Sequence, residues 1–134
     1  MGARDEMLYE YSVIRYVPRI DREEFMNIGL LMLCKRKKWI CGRIELNEKR
    51  ILALDPKFNP EELKRQSRLF ELKGLPFPDL PVEEQYRWLT ATKSAVLQVS
   101  PSHPGLLTKG KEKEVTEHLL QNEFDRLFKE LVAL

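Results

Sequence analysis

The run Phe25-Met26-Asn27-Ile28-Gly29-Leu30-Leu31-Met32-Leu33-Cys34 constrains this chain more than any other stretch. It is nearly continuous in apolar residues, whereas a strand with one wet face would alternate. Such a strand predicts cover on both of its faces. Gly29, in its middle, predicts a bulge or the close approach of another backbone.

The flanking sequence supplies partners. Leu8 to Val17 is rich in tyrosine and β-branched residues, and Tyr9, Tyr11 and Val13 recur with period two, which predicts a strand ended by Pro18. Lys35-Arg36-Lys37-Lys38 reads as a turn, and Trp39 to Leu46 as the return strand of a hairpin. With that loop Cys34 faces Trp39 and Met32 faces Cys41, giving a three-stranded antiparallel meander.

The middle of the chain is helical. Asn59-Pro60-Glu61-Glu62 combines a capping side chain, a proline at the first position and acids in the first turn. Gly74 fits the matching stop, so a helix is predicted over 60–73 with Leu63, Leu69, Phe70 and Leu72 turned inward. The proline-rich Leu75–Pro81 predicts an extended crossing segment. Val82 to Ala91 predicts a short helix with Val82, Tyr86 and Leu89 on one face, and Ala95 to Ser100 a strand stopped by Pro101. Val115, Leu119, Leu120, Phe124, Leu127, Phe128, Leu131 and Val132 then trace the stripe of a long amphipathic helix. The expected fold is α+β in a single domain over 1–134. An antiparallel sheet, the N-terminal meander plus a later strand, packs against helices. The C-terminal helix covers one sheet face; the middle helices or a partner cover the other.

Composition narrows the setting. Cations outnumber anions by 23 to 21, a net charge of +2, which argues against a dedicated nucleic-acid coat. No stretch approaches the roughly 20 apolar residues of a membrane span, and Met1–Glu10 lacks the apolar core of a secretory signal. Two cysteines, Cys34 and Cys41, form no disulfide framework, so a cytoplasmic protein with reduced thiols is expected.

Candidate chemistry is sparse. Gly105-Leu-Leu-Thr-Lys-Gly110-Lys111-Glu112 nearly spells a phosphate-binding loop, but Glu112 stands where the magnesium-binding hydroxyl belongs, so a coincidence is expected. Cys34, Cys41, His103 and His118 lack zinc-site spacing, and neither metal nor cofactor is expected. Lys35, Arg36, Lys37 and Lys38 form a basic patch able to touch phosphates, although a solvated turn that discourages edge aggregation is the commoner outcome. The segment around the later strand concentrates Lys93, Ser94, Gln98, Ser100, Ser102 and His103. Ser94, Gln98 and Ser100 share a face of a regular strand and must be satisfied by a ligand or by a structural network. His103 has the pKa range of a general base. Arg15, in an otherwise apolar and aromatic strand, offers a planar fork to a carboxylate or phosphate. Its structural alternative is an ion pair with Glu10, Glu24 or Asp55.

Several stretches also carry a resemblance: Tyr11–Pro18, Glu24–Met32, Leu54-Asp55-Pro56, Tyr86–Ala91, and the distinctive Ser94-Ala95-Val96-Leu97-Gln98-Val99-Ser100-Pro101-Ser102-His103-Pro104-Gly105. In this order, from residue 8 to about 132, they resemble a bacterial family, domain of unknown function 3037. The chain departs from the family at 19–23, where members tend to have an Asp-Pro turn and this chain has Arg19-Ile20-Asp21. The resemblance implies no activity, cofactor or catalytic residue. It implies a protein partner, because members are encoded beside HipA-like kinases. The leading expectation is therefore a non-catalytic protein-binding or adaptor module, acting with a HipA-like kinase or with a second copy as a homodimer. The alternatives are a small-molecule or nucleotide-phosphate site at Arg15, Ser94, Gln98, Ser100 and His103, and weak nucleic-acid binding through Lys35–Lys38.

Overall fold

The computed structural model describes residues 6–19, 22–74, 80–91 and 96–133. Strand β1 (Glu6–Arg19) pairs antiparallel with β2 (Glu24–Cys34), which pairs with β3 (Trp39–Ile44). Helices α1 (Glu48–Leu54) and α2 (Pro60–Ser67) follow, and a 3-10 turn (Arg68–Phe70) leads into the short β4 (Leu72–Gly74) on the outer side of β3. After α3 (Val82–Ala91), β5 (Leu97–Val99) and β6 (His103–Thr108) return to β1, and α4 (Glu117–Leu131) closes the fold. The sheet order is β4-β3-β2-β1-β5, with β6 also on β1. The fold is α+β.

The meander forms as its sequence predicts, with Cys34 opposite Trp39 and Met32 opposite Cys41. Lys38 closes the turn in the left-handed region (φ 51°), donating its N–H to the Lys35 carbonyl. Gly29 meets both expectations. Ile14 pairs with Gly29 and Arg15 with Asn27, so Ile28 is an extra residue of a bulge. A Cβ at Gly29 would lie 2.8 Å from the Arg43 carbonyl.

Four local expectations need correction. Pro18 does not end β1, which continues to Arg19 through an irregular register. The helix predicted over 60–73 stops at Ser67, and Gly74 pairs with Ile40 in a strand. Leu69, expected inward, is exposed. Residues 103–108, which lie beyond the strand expected to stop at Pro101, form a strand of their own. α1 was not foreseen; Asn47 caps it by accepting from the Arg50 N–H, and Ile51 is its buried anchor. Of the expected crossing segment Leu75–Pro81, residues 75–79 lie outside the described residues.

Both faces of the apolar run are covered, as its composition requires. On one face Leu30, Met32, Cys34, Trp39 and Cys41 pack against Leu120, Phe124, Leu127 and Phe128 of α4. On the other, Leu31, Leu33 and Ile40 pack against Ile51, Leu63, Phe70, Val82, Tyr86 and Leu89 of the middle helices. Thr116 starts α4 by accepting from the Leu119 N–H. Arg43 lies over the rings of Phe124 and Phe128 and pairs with Asp125. No helix among the described residues is long and apolar enough to cross a membrane.

One polar bond ties α4 to β1. The Tyr9 hydroxyl donates to Glu123 at 2.5 Å, and Glu123 also takes the Arg126 guanidinium at 2.8 Å. Those donors, Arg126 first, hold the Glu123 carboxyl below its ordinary pKa. Burial, with the bond to Glu123, pushes the Tyr9 hydroxyl well above its own. A lowered carboxyl stabilises the fold above its unfolded pKa and ceases to as pH falls through the folded value. A raised phenol stabilises below its unfolded pKa and ceases to as pH rises through the folded value. The bond therefore contributes fully between the carboxylate and tyrosine ranges. Tyr9→Phe is expected to lower stability by about 1.5–3 kcal/mol at neutral pH. The deficit should shrink in acid, as followed by denaturant unfolding across pH.

Candidate functional site

Strands β5 and β6 are two halves of one edge running along β1. Tyr16, Arg15 and Ile14 face Leu97, Gln98 and Val99, while Tyr11 faces His103 and Tyr9 faces Gly105. The Ser100 N–H donates to the Val13 carbonyl. Pro101 and Ser102 thus stand opposite Ser12 alone, a bulge that divides the edge.

The structure distributes the polar residues of this segment. Ser100 is buried, and its hydroxyl accepts the Val13 N–H at 2.8 Å and donates to the Pro101 carbonyl, so its polarity is spent on the backbone of the bulge. Gln98 sits opposite Arg15. His103 is exposed, with its ring 5.3 Å from that of Tyr11. Tyr11 is four residues along β1 from Arg15, a separation of about 13 Å. Arg15 and Gln98 are therefore brought together, and Ser100 and His103 are not part of that pair. Lys93 and Ser94 lie outside the described residues.

The other sequence motifs find structural places. Gly105 of the phosphate-loop look-alike lies inside β6, where a Cβ would come within 2.2 Å of the Tyr9 ring. That glycine makes room for an aromatic, and an extended strand offers no cradle of converging N–H groups. Cys34 and Cys41 are buried in the core under α4, and burial raises the Cys34 thiol. His118 bonds Asn122 on the exposed side of α4. Among the described residues no group of three or more His, Cys, Asp or Glu is placed to hold a metal ion. Lys35, Arg36, Lys37 and Lys38 form the β2–β3 loop, and Lys35 reaches Glu10 at 4.0 Å.

Two features were not legible in the residue pattern. The first is a polar chain from the core to the surface at the bulge. Fully buried Ser12 shares a 2.9 Å bond with the Tyr86 hydroxyl, which shares one of 2.8 Å with Ser102. Ser102 in turn approaches Glu10 at 3.5 Å. Burial pushes the Tyr86 hydroxyl upward in pKa. Tyr86 belonged to an apolar helical stripe, which gave no hint of the use of its hydroxyl.

The second is an open groove of about 570 Å³ on the sheet face that α1–α3 cover elsewhere. Leu33, Leu8, Leu106 and Pro104 line it, with Glu6, Glu10, Lys35 and Arg36 around them. Leu8 and Leu106 are cross-strand partners and remain 71% and 52% exposed, unusual for a matched leucine pair. Beside the groove β6 has a strand on one side only among the described residues. Proline is confined to sheet edges and bulges, and Pro104 marks this one.

Residues 11–132 match the family described as Protein of unknown function (DUF3037), and the chain belongs to that family. No curated protein and no solved structure matches the chain.

The Ser12–Tyr86 bond is testable apart from any ligand. Tyr86→Phe leaves the buried Ser12 hydroxyl without this partner and is expected to cost about 1–3 kcal/mol. Adding Ser12→Ala should cost less than the sum of the single changes, as measured by a denaturation double-mutant cycle.

Proposed function

We propose that this member of the DUF3037 family is a non-catalytic protein-binding module that accepts an extended segment of a partner along β6. The observation that carries the reading is the junction of an unpaired sheet edge with the Leu8–Leu106 groove. Strand addition takes affinity from main-chain hydrogen bonds and specificity from pockets for alternate side chains. The β6 edge supplies the first, and the groove supplies an apolar pocket. Glu6, Glu10, Lys35 and Arg36 give it a border of both charges. The polar segment before β6 supports the same reading. Its best-placed groups, Ser100 and Ser102, build the bulge that aims the edge, and neither makes a serine–histidine hydrogen bond that would mark a nucleophile.

The partner class is the one implied by the family resemblance, a HipA-like kinase. The test is co-expression with such a kinase encoded beside the gene. Co-purification at micromolar concentration is expected, with loss of about tenfold or more in affinity for Leu106→Asp, as for a buried contact turned into an unpaired charge. Leu69→Asp, at an exposed site in the 3-10 turn, should leave affinity unchanged. Absence of a complex with the kinase contradicts that partner; a complex indifferent to Leu106→Asp contradicts the site.

A further inference from the structure

We propose that Arg15 anchors a second and separate binding site, for a small oxyanion. The site lies on the sheet face that carries α4, near that helix's C-terminal end. The bulge at Ile28 creates it, for without the extra residue Arg15 would face Ile28. Instead three adjacent strands present a polar row, Asn27 on β2, Arg15 on β1 and Gln98 on β5. Asn27 is fixed by donating to the Leu131 carbonyl at 3.1 Å, at the end of α4.

Among the described residues Arg15 has no counter-ion. Its guanidinium carbon lies 4.4 Å from the centroid of the Phe25 ring, and Phe25 is itself half exposed. The carboxylates within expectation are engaged elsewhere: Glu10 with Lys35, Glu24 with Arg22, and Asp55 with the Tyr16 hydroxyl. The Arg15 Nε is buried with no acceptor among the described residues. The Asn27 Oδ1 across the strand is also buried and lacks a donor, which an oxyanion does not supply. A buried unsatisfied donor is costly and infrequent in native folds. A planar guanidinium over an aromatic ring, with Asn27 and Gln98 at the register positions on either side, matches the fork geometry of a carboxylate or phosphate oxygen pair. The site is independent of the β6 edge and shares no residue with the groove.

The test is an NMR titration of the full chain with sodium acetate and, separately, inorganic phosphate, at ionic strength held constant with sodium chloride. The Arg15 Nε–Hε resonance is the reporter. A saturable shift with either probe and none with chloride is expected, and the probe that acts identifies whether the ligand is a carboxylate or a phosphate. Arg15→Lys, which keeps the charge and loses the fork, should weaken binding about tenfold or more. Gln98→Leu should weaken it less. No saturable shift at tens of millimolar of either probe, the same shift with chloride, or unchanged affinity in Arg15→Lys would each overturn the proposal. The wild-type resonance decides the matter even where a variant fails to fold.

Discussion

β1 is hydrogen-bonded along both of its sides, and the other layers are placed by that double pairing. β2 occupies one side from Glu10 to Arg19, and β6 and β5 together occupy the other from Glu6 to Tyr16. Each side carries a bulge, at Ile28 and at Pro101–Ser102, and the β2 side has a further register shift between Tyr16 and Arg19. A bulge bends its strand and moves one side chain relative to the ladder. The first brings Asn27 opposite Arg15. The second turns Ser102 toward Tyr86 and starts β6 in a new register, with Gly105 set against the Tyr9 ring.

The two sheet faces are closed to different extents. α4 packs on the face of Met7 and Tyr9, and Glu123 bonds Tyr9 near the start of β1. The middle helices pack on the opposite face around Ile14 and Tyr16, leaving Leu8 and Leu106 bare. Apolar area left open beside an edge that no described strand pairs is a liability unless something covers it. That imbalance is the physical basis for reading the β1–β6 end as a docking surface.

Much of this was legible where the signal is local. The apolar run at 25–34, the hairpin after it, the Val82–Ala91 stripe and the final helix each carry a period or a cap within their own residues. β6 was not legible because His103-Pro104-Gly105 has loop chemistry, and only pairing with β1 makes it a strand. α1 was missed because it is short and rests on a single buried side chain, Ile51. β4 reads as a helix end because Gly74 after a helical pattern is a helix stop, and only pairing with Ile40 places it in a strand. The candidate sites were half legible. Arg15 and Gln98 were picked by their polarity in apolar strands and do meet. Ser100 carried the same signal for a different reason, a bond to the backbone of Val13. The groove had no signal, since an exposed leucine pair depends on which part of a sheet the helices fail to cover.

Native-state hydrogen exchange of the β6 backbone amides measures directly whether the outer edge of β6 is open in the isolated chain. Amides of β1, paired on both sides, should exchange slowest. Those of Gly105 to Thr108 that do not face β1 should exchange near the rate of unstructured peptide. Protection of those β6 amides in the isolated chain, comparable to that of β1, would contradict the account.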